Sequence, residues 1–554
     1  MLLALLNARD TGNARAFLRS SAGSEAILFQ GLDAGFLLVK DVWLGLKLAD
    51  GAGWQVSEFN DQYMLKTYAG GADKLIEMAR YILHDEDADV PVAVGVAWRA
   101  TVRIGHLPQP VAGMAALASG SGPGAQVFVA SSGGDRLFAY DRQAGRFDDL
   151  TGRTGLDTAS HALAFVDLDR DGRVDLVSWD GERLSVRLRR QDGGFAPLQG
   201  APEPEWRGGC NGLTPFRLMQ DGFPGVLVSS AWPHLLSWDG ERWSVAPLPG
   251  DQASCGPAGS APVAVAADWD GDGYADVLQL REAGGLLWTG KGGGFAQPQP
   301  CGVTSAGSPV RWAVGDFDTD GRLDLAVNGP ETCELWENAG GGRFRPVIRY
   351  AGSLLFRQEP GAADCLATDL NHDGRPDLAL LYEKGPFFYH FNRGFRCMAE
   401  EGQLTLDGGA AASAGPTRAA AGDFDGDGSL DLAVAFTAGE VSCFFNGLPE
   451  APGLWVSLPR GHTGPVTLSA WQGEPYAFCV GTQVVAGHEP TYFSLHKHGP
   501  CTLKWRWPGG PLQELVAKDG AELVLPRTAG PSVTDRGREG AHVGEERAND
   551  GLAR

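Results

Sequence analysis

The chain has 554 residues, of which 79 are glycine and 34 are proline, and its formal net charge is −22 at pH 7. This length allows several domains, and so many turn-forming residues favour a mainly β protein over a helical one. The acidic balance, without any basic patch interleaved with aromatic residues, argues against a nucleic-acid partner.

Residues 1–110 predict a small α/β domain of unknown type. Residues 73–83 would place their apolar side chains on one face of a helix, and residues 90–96 have the composition of a strand. An alternative assigns residues 97–111 to an outer strand that closes the following repeats against their last unit, which would leave no open sheet edge. The apolar run at residues 2–6 is too short for a secretory signal, and no segment is long enough for membrane insertion.

Five copies of one acidic sequence follow, beginning with Asp-Leu-Asp-Arg-Asp-Gly-Arg-Val-Asp-Leu at residues 167–176 and starting again at Asp268, Asp316, Asp369 and Asp423. Positions 1, 3, 5 and 9 offer side-chain oxygens, position 6 is always glycine, and the carbonyl of position 7 can face the same point. Calcium prefers hard oxygen ligands of this kind. One copy alone could be an ordinary Asp/Gly surface turn, but five copies predict about five bound Ca²⁺ ions.

The predicted metal ligands are the side chains at positions 1, 3, 5 and 9 and the main-chain carbonyl at position 7. They are Asp167, Asp169, Asp171, Arg173, Asp175, Asp268, Asp270, Asp272, Tyr274, Asp276, Asp316, Asp318, Asp320, Arg322, Asp324, Asp369, Asn371, Asp373, Arg375, Asp377, Asp423, Asp425, Asp427, Ser429 and Asp431. Because Asn371 supplies a neutral oxygen at position 3, its site is expected to bind calcium more weakly than the others.

The acidic sequence recurs about every 50 residues if one unit near residues 218–228 has kept only one of its four carboxylates. A second degenerate unit precedes Phe147, where residues 119–126 offer no carboxylate. Each complete unit continues with an apolar strand, a glycine turn and an aromatic strand, so it requires no helix. This pattern predicts seven blades of four short strands each, five of them with a calcium loop, over residues 111–448.

Large aromatic residues stand at similar places within the repeats. They include Trp288 and Trp336, with Tyr389 and Phe444 close to the equivalent position. We expect these rings to pack between neighbouring blades rather than to form a ligand site.

The recurring sequence Asp-Phe-Asp-x-Asp-Gly-x-Leu-Asp-Leu-Ala-Val, followed by a glycine-rich turn and Phe, is similar to the FG-GAP (VCBS) repeats of bacterial surface proteins and of integrin α-subunit propellers. The resemblance implies a seven-bladed β-propeller with a calcium ion in several blades. It also implies that the metal ligands of the family correspond, position by position, to the residues given above.

Residues 449–527 predict a small β-sandwich, because strand-like runs alternate with Gly, Pro and His turns. Three stretches resemble the ASPIC/UnbV module that often follows FG-GAP repeats: residues 454–458, 492–496 and 503–514. The most specific part is Trp505-Arg-Trp-Pro-Gly509. The middle segment, residues 459–490, is shorter than in that family and lacks its Ile-Gly-Ala-Arg-like stretch.

Nine cysteines are spread along the chain without any Cys-x-x-Cys pair, so neither zinc nor a thioredoxin-type redox motif is indicated. Cys479 and Cys501 are the first choice for a disulfide in the C-terminal module, and buried free thiols are an equally weighted alternative. Residues 528–554 are rich in glycine and charge and predict a disordered tail.

Three classes of function are compatible with these features. The favoured one is a calcium-stabilised, non-enzymatic binding or adhesion scaffold for a protein or glycan partner, in which the metal is structural because the loops leave little room for substrate. The alternatives are a carbohydrate-binding lectin and an enzyme that acts through the N-terminal domain or the propeller face. We find no phosphate-binding loop, Gly-x-Ser-x-Gly elbow or His-Glu-x-x-His motif in support of an enzyme.

Calcium sites of modest affinity fill only where calcium is plentiful. We therefore expect an extracellular, periplasmic or cell-surface location. The oligomeric state is left open by the sequence.

Overall fold

The regular secondary structure of the computed structural model is nearly all β-strand in the residues that it describes, with one single-turn helix among them, α1 (Thr151–Thr154). The described residues are 29–30, 34–39, 42–49, 53–59, 64–69, 96–99, 101–107, 110–118, 124–202, 209–216, 224–251, 264–281, 284–304, 311–317, 319–329, 333–349, 363–385, 387–392, 398–404, 415–448, 452–459, 466–472, 478–485, 491–495 and 498–526. Among them, no helix has the length and apolar composition needed to cross a membrane.

The N-terminal part contains a five-stranded antiparallel sheet in which successive strands are neighbours. Its strands are β1 (Phe29–Gln30), β2 (Ala34–Val39), β3 (Val42–Ala49), β4 (Gly53–Phe59) and β5 (Met64–Ala69). The sequence analysis did not predict this sheet. The predicted helix at residues 73–83 and nearly all of the predicted strand at 90–96 lie outside the described residues, so the α/β domain stays a prediction.

Seven four-stranded antiparallel sheets follow one another in the next part of the described chain, and we number them as sheets 1 to 7. Sheets 1 to 3 consist, in chain order, of β7 (Val111–Ala118), β8 (Ala125–Ser131), β9 (Arg136–Asp141) and β10 (Arg146–Asp149); β11 (Ala162–Val166), β12 (Asp175–Trp179), β13 (Leu184–Arg189) and β14 (Phe195–Pro197); β15 (Gly212–Phe216), β16 (Gly225–Ser229), β17 (His234–Trp238) and β18 (Trp243–Pro247).

Sheets 4 to 7 have the same order, with two departures. Sheet 4 carries an extra hairpin before its outer strand, and sheet 7 takes its outer strand from an earlier part of the chain. The strands are β19 (Ala264–Ala267), β20 (Asp276–Gln279), β21 (Leu286–Trp288), the hairpin β22 (Gly290–Lys291) and β23 (Gly294–Phe295), and β24 (Gln299–Pro300); β25 (Arg311–Gly315), β26 (Asp324–Asn328), β27 (Cys333–Asn338) and β28 (Phe344–Arg349); β29 (Ala363–Thr368), β30 (Asp377–Tyr382), β31 (Phe387–Asn392) and β32 (Met398–Leu404); β33 (Pro416–Gly422), β34 (Asp431–Phe436), β35 (Glu440–Phe444) and β6 (Val102–His106).

The second strand is buried along its whole length in each of sheets 2 to 7. A strand that is buried on both faces must be covered on both sides, which explains continuous apolar runs such as Leu-Ala-Val in β26. Apolar clusters provide this cover between sheets 1 and 2, 2 and 3, 3 and 4, 4 and 5, 6 and 7, and 7 and 1. The fold is therefore propeller-like, with successive sheets packed face to face.

The matching aromatic residues lie inside these clusters. Trp288, Trp336, Tyr389 and Phe444 are all buried, and each belongs to a cluster that joins two sheets. Their predicted packing between units is confirmed.

Strand β6 precedes sheet 1 in the chain but belongs to sheet 7, the last of the seven sheets. It pairs antiparallel with β35, with Glu440 opposite His106. Just before it, the Trp98 ring makes edge contacts with Tyr389 and Phe444, at 6.1 and 6.4 Å between ring centroids. The pairing confirms the alternative proposed for residues 97–111, in which this segment is an outer strand of the last repeat.

The C-terminal part consists of two sheets. One is ordered β39-β36-β42 and the other β38-β37-β40-β41. Their strands are β36 (Gly453–Ser457), β37 (Val466–Gln472), β38 (Phe478–Val485), β39 (Thr491–Ser494), β40 (Pro500–Arg506), β41 (Leu512–Lys518) and β42 (Glu522–Val524). We call these strands together the C-terminal module. Residues 528–554, with the predicted tail, lie outside the described residues.

The proposed disulfide between Cys479 and Cys501 is wrong, because both are free, buried thiols. Cys479 lies on β38 and Cys501 on β40, and β37 runs between these two strands. Strands two places apart are separated by about 10 Å, beyond the Cα distance of about 4.4–6.8 Å that a disulfide spans. The alternative of buried thiols is the one found.

Candidate metal centre

The five acidic sequences form the connections between the first and second strands of sheets 2, 4, 5, 6 and 7. We call them loops A to E, in chain order: residues 167–176, 268–277, 316–325, 369–378 and 423–432. Position 9 of each loop is the first residue of the second strand, as with Asp276 in β20. The loops are thus anchored at both ends by buried strands.

Two positions of each loop adopt left-handed backbone conformations. Position 6 is the predicted glycine, with φ between 85° and 91° at Gly172, Gly273, Gly321, Gly374 and Gly428. Position 4 is left-handed as well, and here three loops carry a residue with a side chain: Arg170, Thr319 and His372, at φ of 64°, 58° and 59°. The sequence analysis missed position 4, although the glycines at 271 and 426 were a signal for it.

The first carboxylate of each loop is fixed by the loop's own backbone. In loop C, Asp316 accepts hydrogen bonds from the N–H of Gly321 through Oδ2 at 2.8 Å and from the N–H of Asp320 through Oδ1 at 3.0 Å. The glycine N–H makes the same bond in all five loops. Position 1 is therefore held in place before any ligand binds.

The carboxylate at position 9 ties the loop to the sheet. Asp276 accepts a hydrogen bond from Trp269 N–H through Oδ2 at 2.8 Å. It accepts another through Oδ1 at 2.7 Å from the N–H of Gly290, the first residue of the hairpin strand β22 that follows the third strand. All five loops repeat this pattern. Position 9 therefore has a structural role that the sequence analysis did not recognise.

Three loops bring together carboxylates from positions 1, 3 and 9, with one oxygen of each within 4.8 Å of the others. The groups are Asp167, Asp169 and Asp175 in loop A; Asp268, Asp270 and Asp276 in loop B; and Asp423, Asp425 and Asp431 in loop E. Three converging carboxylates are a donor set suited to a hard divalent cation such as Ca²⁺. The residues present thus fit the predicted metal.

Loops C and D differ at position 3. Asp318 lies outside the described residues, so no group can be assigned there. In loop D, the neutral Asn371 donates through Nδ2 to Asp373 at 3.1 Å. The expectation of weaker binding at this loop stays a prediction.

Position 5 lies outside the three carboxylate groups. In loops A, C and D an arginine at position 7 forms an ion pair with the aspartate at position 5. The Nε of the same arginine donates to a main-chain oxygen at the end of the third strand, as from Arg322 to Asn338 at 2.9 Å. The side chains at positions 5 and 7 thus contact each other, whereas the sequence prediction considered only the main-chain carbonyl at position 7.

The comparisons with known proteins agree with this local geometry. Residues 268–327, 316–380 and 369–434 match the FG-GAP-like repeat family. The chain contains three FG-GAP-like repeats. These repeats hold loops B to E, and the matched residues do not extend to the C-terminal module. No curated protein sequence matches the chain significantly.

Solved structures with a similar fold include two lectins. One, from Agrocybe aegerita, recognises non-reducing terminal N-acetylglucosamine; it is 16% identical, with 64% of this chain and 88% of that chain covered and a TM-score of 0.41. The other, from Burkholderia pseudomallei, is 13% identical, with 62% and 98% covered and a TM-score of 0.45. A Photorhabdus luminescens Tc holotoxin pore is 15% identical, with 70% and 23% covered and a TM-score of 0.35. We draw no functional conclusion from these similarities.

The C-terminal module contacts three of the four loops of the FG-GAP-like repeats. Thr482 on β38 donates through Oγ1 to Asp316 Oδ2 at 2.7 Å. Nearby, a Cβ added to Gly481 would lie 2.3 Å from the carbonyl oxygen of Gly374, and one added to Gly273 would lie 2.6 Å from that of Trp507. Loops B, C and D are therefore in close contact with this module.

Loop E is contacted by residues from earlier in the chain. Arg99 forms ion pairs with Asp425 at 3.0 Å and with Asp427 at 2.6 Å, and Arg142 approaches Asp425 at 3.4 Å. These arginines are about half exposed, so solvent screens the pairs. Loop E thus has part of its negative charge balanced by the protein itself.

Burial changes the acidity of the loop carboxylates. It raises the pKa of Asp175 to about 7 and the pKa values of Asp276 and Asp431 to about 8. Backbone N–H donors oppose this shift in the pKa, and neighbouring aspartates of the same loop add a further increase. A buried group of carboxylates is costly to ionise without a cation. Bound Ca²⁺ would supply the missing positive charge.

These carboxyl groups predict how the stability of the metal-free protein depends on pH. An Asp in an unfolded chain titrates near pH 4, whereas Asp175, Asp276 and Asp431 in the folded protein titrate at about 7 to 8. Between these values the folded state binds more protons, so its free energy of unfolding should fall as the pH rises.

We expect protein stripped of metal on a chelating resin to unfold at a lower urea concentration at about pH 8 than at about pH 5.5. Saturating calcium should remove most of this difference, because it holds the carboxylates ionised. A metal-free protein that is more stable at the higher pH would contradict the prediction.

Proposed function

We propose that this chain is a calcium-stabilised, non-enzymatic binding scaffold for a protein or glycan partner, working outside the cytosol. The observation that carries the proposal is the recurrence of three converging carboxylates in loops A, B and E, with position 9 buried in each. Repeated sites of one geometry, each between the strands of a different sheet, fit a structural ion better than a single catalytic centre.

The finer architecture belongs to the same proposal. We assign sheets 1 to 7 as the seven blades of a closed ring. The apolar cluster between sheets 7 and 1 supports closure, because it brings Phe424 and Ala433 against Val127 and Phe138. Strand β6 supports it as well, since it completes the last sheet with a strand from before the first. The ASPIC/UnbV-like assignment of residues 449–527 is retained as part of this proposal.

The surroundings of the loops favour a structural ion over a reactive one. Loops B, C and D are covered by the C-terminal module, and the first carboxylate of each loop is engaged by backbone N–H groups. A catalytic metal must keep a coordination position open to substrate, and such cover leaves little access. Calcium would therefore hold the blades and the module together, and the partner would bind elsewhere on the surface.

The location follows from the proposed metal. Sites that bind calcium with modest affinity through several carboxylates are occupied where calcium is plentiful. We therefore place the working protein at the cell surface, in the periplasm or in the medium.

Calorimetric titration with calcium, followed by incubation with a glycan array and with extracellular proteins, tests the proposal. We expect up to about five calcium ions per chain, as the five loops imply, and retention of a partner that is recovered chemically unchanged. Turnover of a retained glycan or peptide would show an enzyme instead. Absence of calcium binding at millimolar concentration would remove the basis of the scaffold.

A further inference from the structure

A cavity of about 1010 Å³ lies between the loop ends of several propeller sheets and the C-terminal module. One wall comes from the first strands of sheets 1, 4, 5 and 6 and from loops C, D and E. The opposite wall comes from β36, β38, β39 and β42. This volume is at the upper end of the range that is typical of small-molecule sites.

The wall from the C-terminal module presents two aromatic rings and a carboxylate in one row. Trp455 on β36 pairs with Tyr492 on β39 on one side and with Glu522 on β42 on the other. All three line the cavity, and the two rings are 4.8 Å apart between centroids, at 53°. Glu522 is exposed and both rings are partly exposed, so a ligand can reach this row.

The propeller wall is made of small residues and oxygen acceptors. Ala116, Ala266 and Ala367 line it where larger side chains would fill the space, and Asp369 and Asp423 lie among the lining residues of loops D and E. The space is thus a consequence of short side chains on the first strands and of the module that closes over them.

A buried donor lies in the same lining. The Nε2 of His372 accepts a hydrogen bond from the N–H of Leu430 at 3.1 Å. Because this nitrogen is the acceptor, the proton of the neutral imidazole is on Nδ1. His372 is 5% exposed, and its Nδ1 has no hydrogen-bond partner among the described residues. A buried donor without an acceptor is unfavourable, and an oxygen atom of a bound molecule would satisfy it.

The charges of the lining select the kind of ligand. Neither lysine nor arginine is among the lining residues, and Glu522 adds a carboxylate that belongs to none of the proposed calcium loops, so an anionic ligand would be repelled. The Thr482 hydroxyl and the Gln483 amide also line the space. They already donate to Asp316 and to the main-chain oxygen of Tyr492, so what they offer a ligand is chiefly acceptor oxygen. A ligand rich in hydroxyl groups with an apolar ring face matches this combination.

We infer that the cavity between the propeller and the C-terminal module binds a neutral saccharide, which stacks a sugar ring on Trp455 and Tyr492 and donates a hydroxyl hydrogen bond to Glu522. This inference rests on the proposed function as a binding scaffold and specifies one ligand class and its site. It places the site where the module meets the loops, so calcium-dependent positioning of that module would control binding.

The experiment measures binding of methyl glycosides of glucose, galactose, mannose and N-acetylglucosamine to the full chain in calcium, by tryptophan fluorescence and calorimetry. Methyl glucuronide and choline serve as anionic and cationic comparators. We expect at least one neutral glycoside to bind, with an affinity that changes little between low salt and about 0.5 M salt, because no ion pair is involved.

Three variants locate the site. Trp455→Ala and Glu522→Gln should each weaken binding of that glycoside by about tenfold, through loss of stacking area and of a charged acceptor. Trp455→Phe keeps a ring and should retain most of the affinity, which separates stacking from misfolding. Trp238→Ala is the matched control, because Trp238 is also a partly exposed ring in an aromatic pair, with Trp243 at 4.9 Å, outside the cavity.

The outcomes separate the site from the scaffold. Glycoside binding that is equally strong in Trp455→Ala and Trp238→Ala overturns the cavity as the site but leaves a glycan-binding scaffold. Binding of choline or glucuronide alone overturns the neutral ligand class. If no glycoside binds while a protein partner is retained, the inference fails and the scaffold stands.

Discussion

Removal of calcium is expected to lower the Tm of the protein by about 7 °C or more. Each occupied site stabilises the folded state by about 2.7 kcal/mol when free calcium is 100 times its Kd. With about 2.1 cal/mol/K of unfolding entropy per residue, about 1 kcal/mol corresponds to about 1 °C in a chain of 554 residues. Loops A, B and E alone provide three groups of converging carboxylates, so the contributions of several sites combine. Scanning calorimetry in about 1 mM calcium and in excess EGTA at neutral pH measures the difference.

The control for this prediction is restoration of the original Tm by calcium, with magnesium as a comparison. Magnesium requires a smaller, nearly octahedral site and loses its water reluctantly, so it should restore less of the stability. The Tm should also rise with the logarithm of free calcium in the range where the sites are saturated. An unchanged Tm in excess chelator would refute the structural role of the metal.

The acidic loops could be predicted because their information is local. Positions 1 to 9 of each acidic sequence lie within one loop. The hydrogen bonds that hold the carboxylate at position 1 come from backbone N–H groups four and five residues further along the chain, as from Asp320 and Gly321 to Asp316. Recurrence of this pattern was enough to predict both the repeats and the converging carboxylates. The same reasoning located the packing of Trp288 and Trp336, because a repeat places equivalent side chains in equivalent surroundings.

Contacts between distant parts of the chain could not be predicted in this way. Arg99 pairs with Asp425 across 326 residues, and Thr482 reaches Asp316 across 166. No repeat or period relates these residues, since each contact depends on how whole sheets are placed. The contact of loops B, C and D with the C-terminal module, and the cavity beside it, could therefore not be predicted from the sequence.

The N-terminal sheet was missed for a different reason. Strands β3 and β4 include Leu44-Gly-Leu-Lys-Leu48 and Trp54-Gln-Val56, in which apolar residues recur at alternate positions. This period of two is the signal of a half-buried strand, and Asp50-Gly51 between them is typical of a hairpin turn. The prediction for this region followed the helical pattern at residues 73–83 instead of this alternation.

Two substitutions in loop B are expected to separate metal binding from the structural role of its carboxylates. Asp276 at position 9 is fully buried and accepts hydrogen bonds from backbone N–H groups of the loop and of Gly290, just after the third strand. Asp276→Ala leaves these donors without acceptors, so it should lower the free energy of unfolding by about 2–4 kcal/mol even in metal-free protein. In calcium the loss should be larger, because a metal ligand is removed as well.

Asp270 at position 3 should behave in the opposite way without metal. Burial raises its pKa, with a further increase from Asp272, so its charge is unfavourable in the empty loop. Its carboxylate accepts one long loop hydrogen bond, from Asp272 N–H at 3.2 Å. Asp270→Ala should therefore be neutral or slightly stabilising in metal-free protein. In calcium it should be destabilising by up to about 2.7 kcal/mol, the contribution of one site at 100 times its Kd.

Urea unfolding of both variants, with and without calcium, distinguishes the two roles. Asp239→Ala is the matched control, because Asp239 also accepts backbone N–H groups in a tight turn, from Glu241 and Arg242, but belongs to none of the three carboxylate groups. Its effect should be small and the same in both conditions. If Asp270→Ala destabilises equally with and without calcium, position 3 supports the loop rather than the ion, and loop B would not be a calcium site.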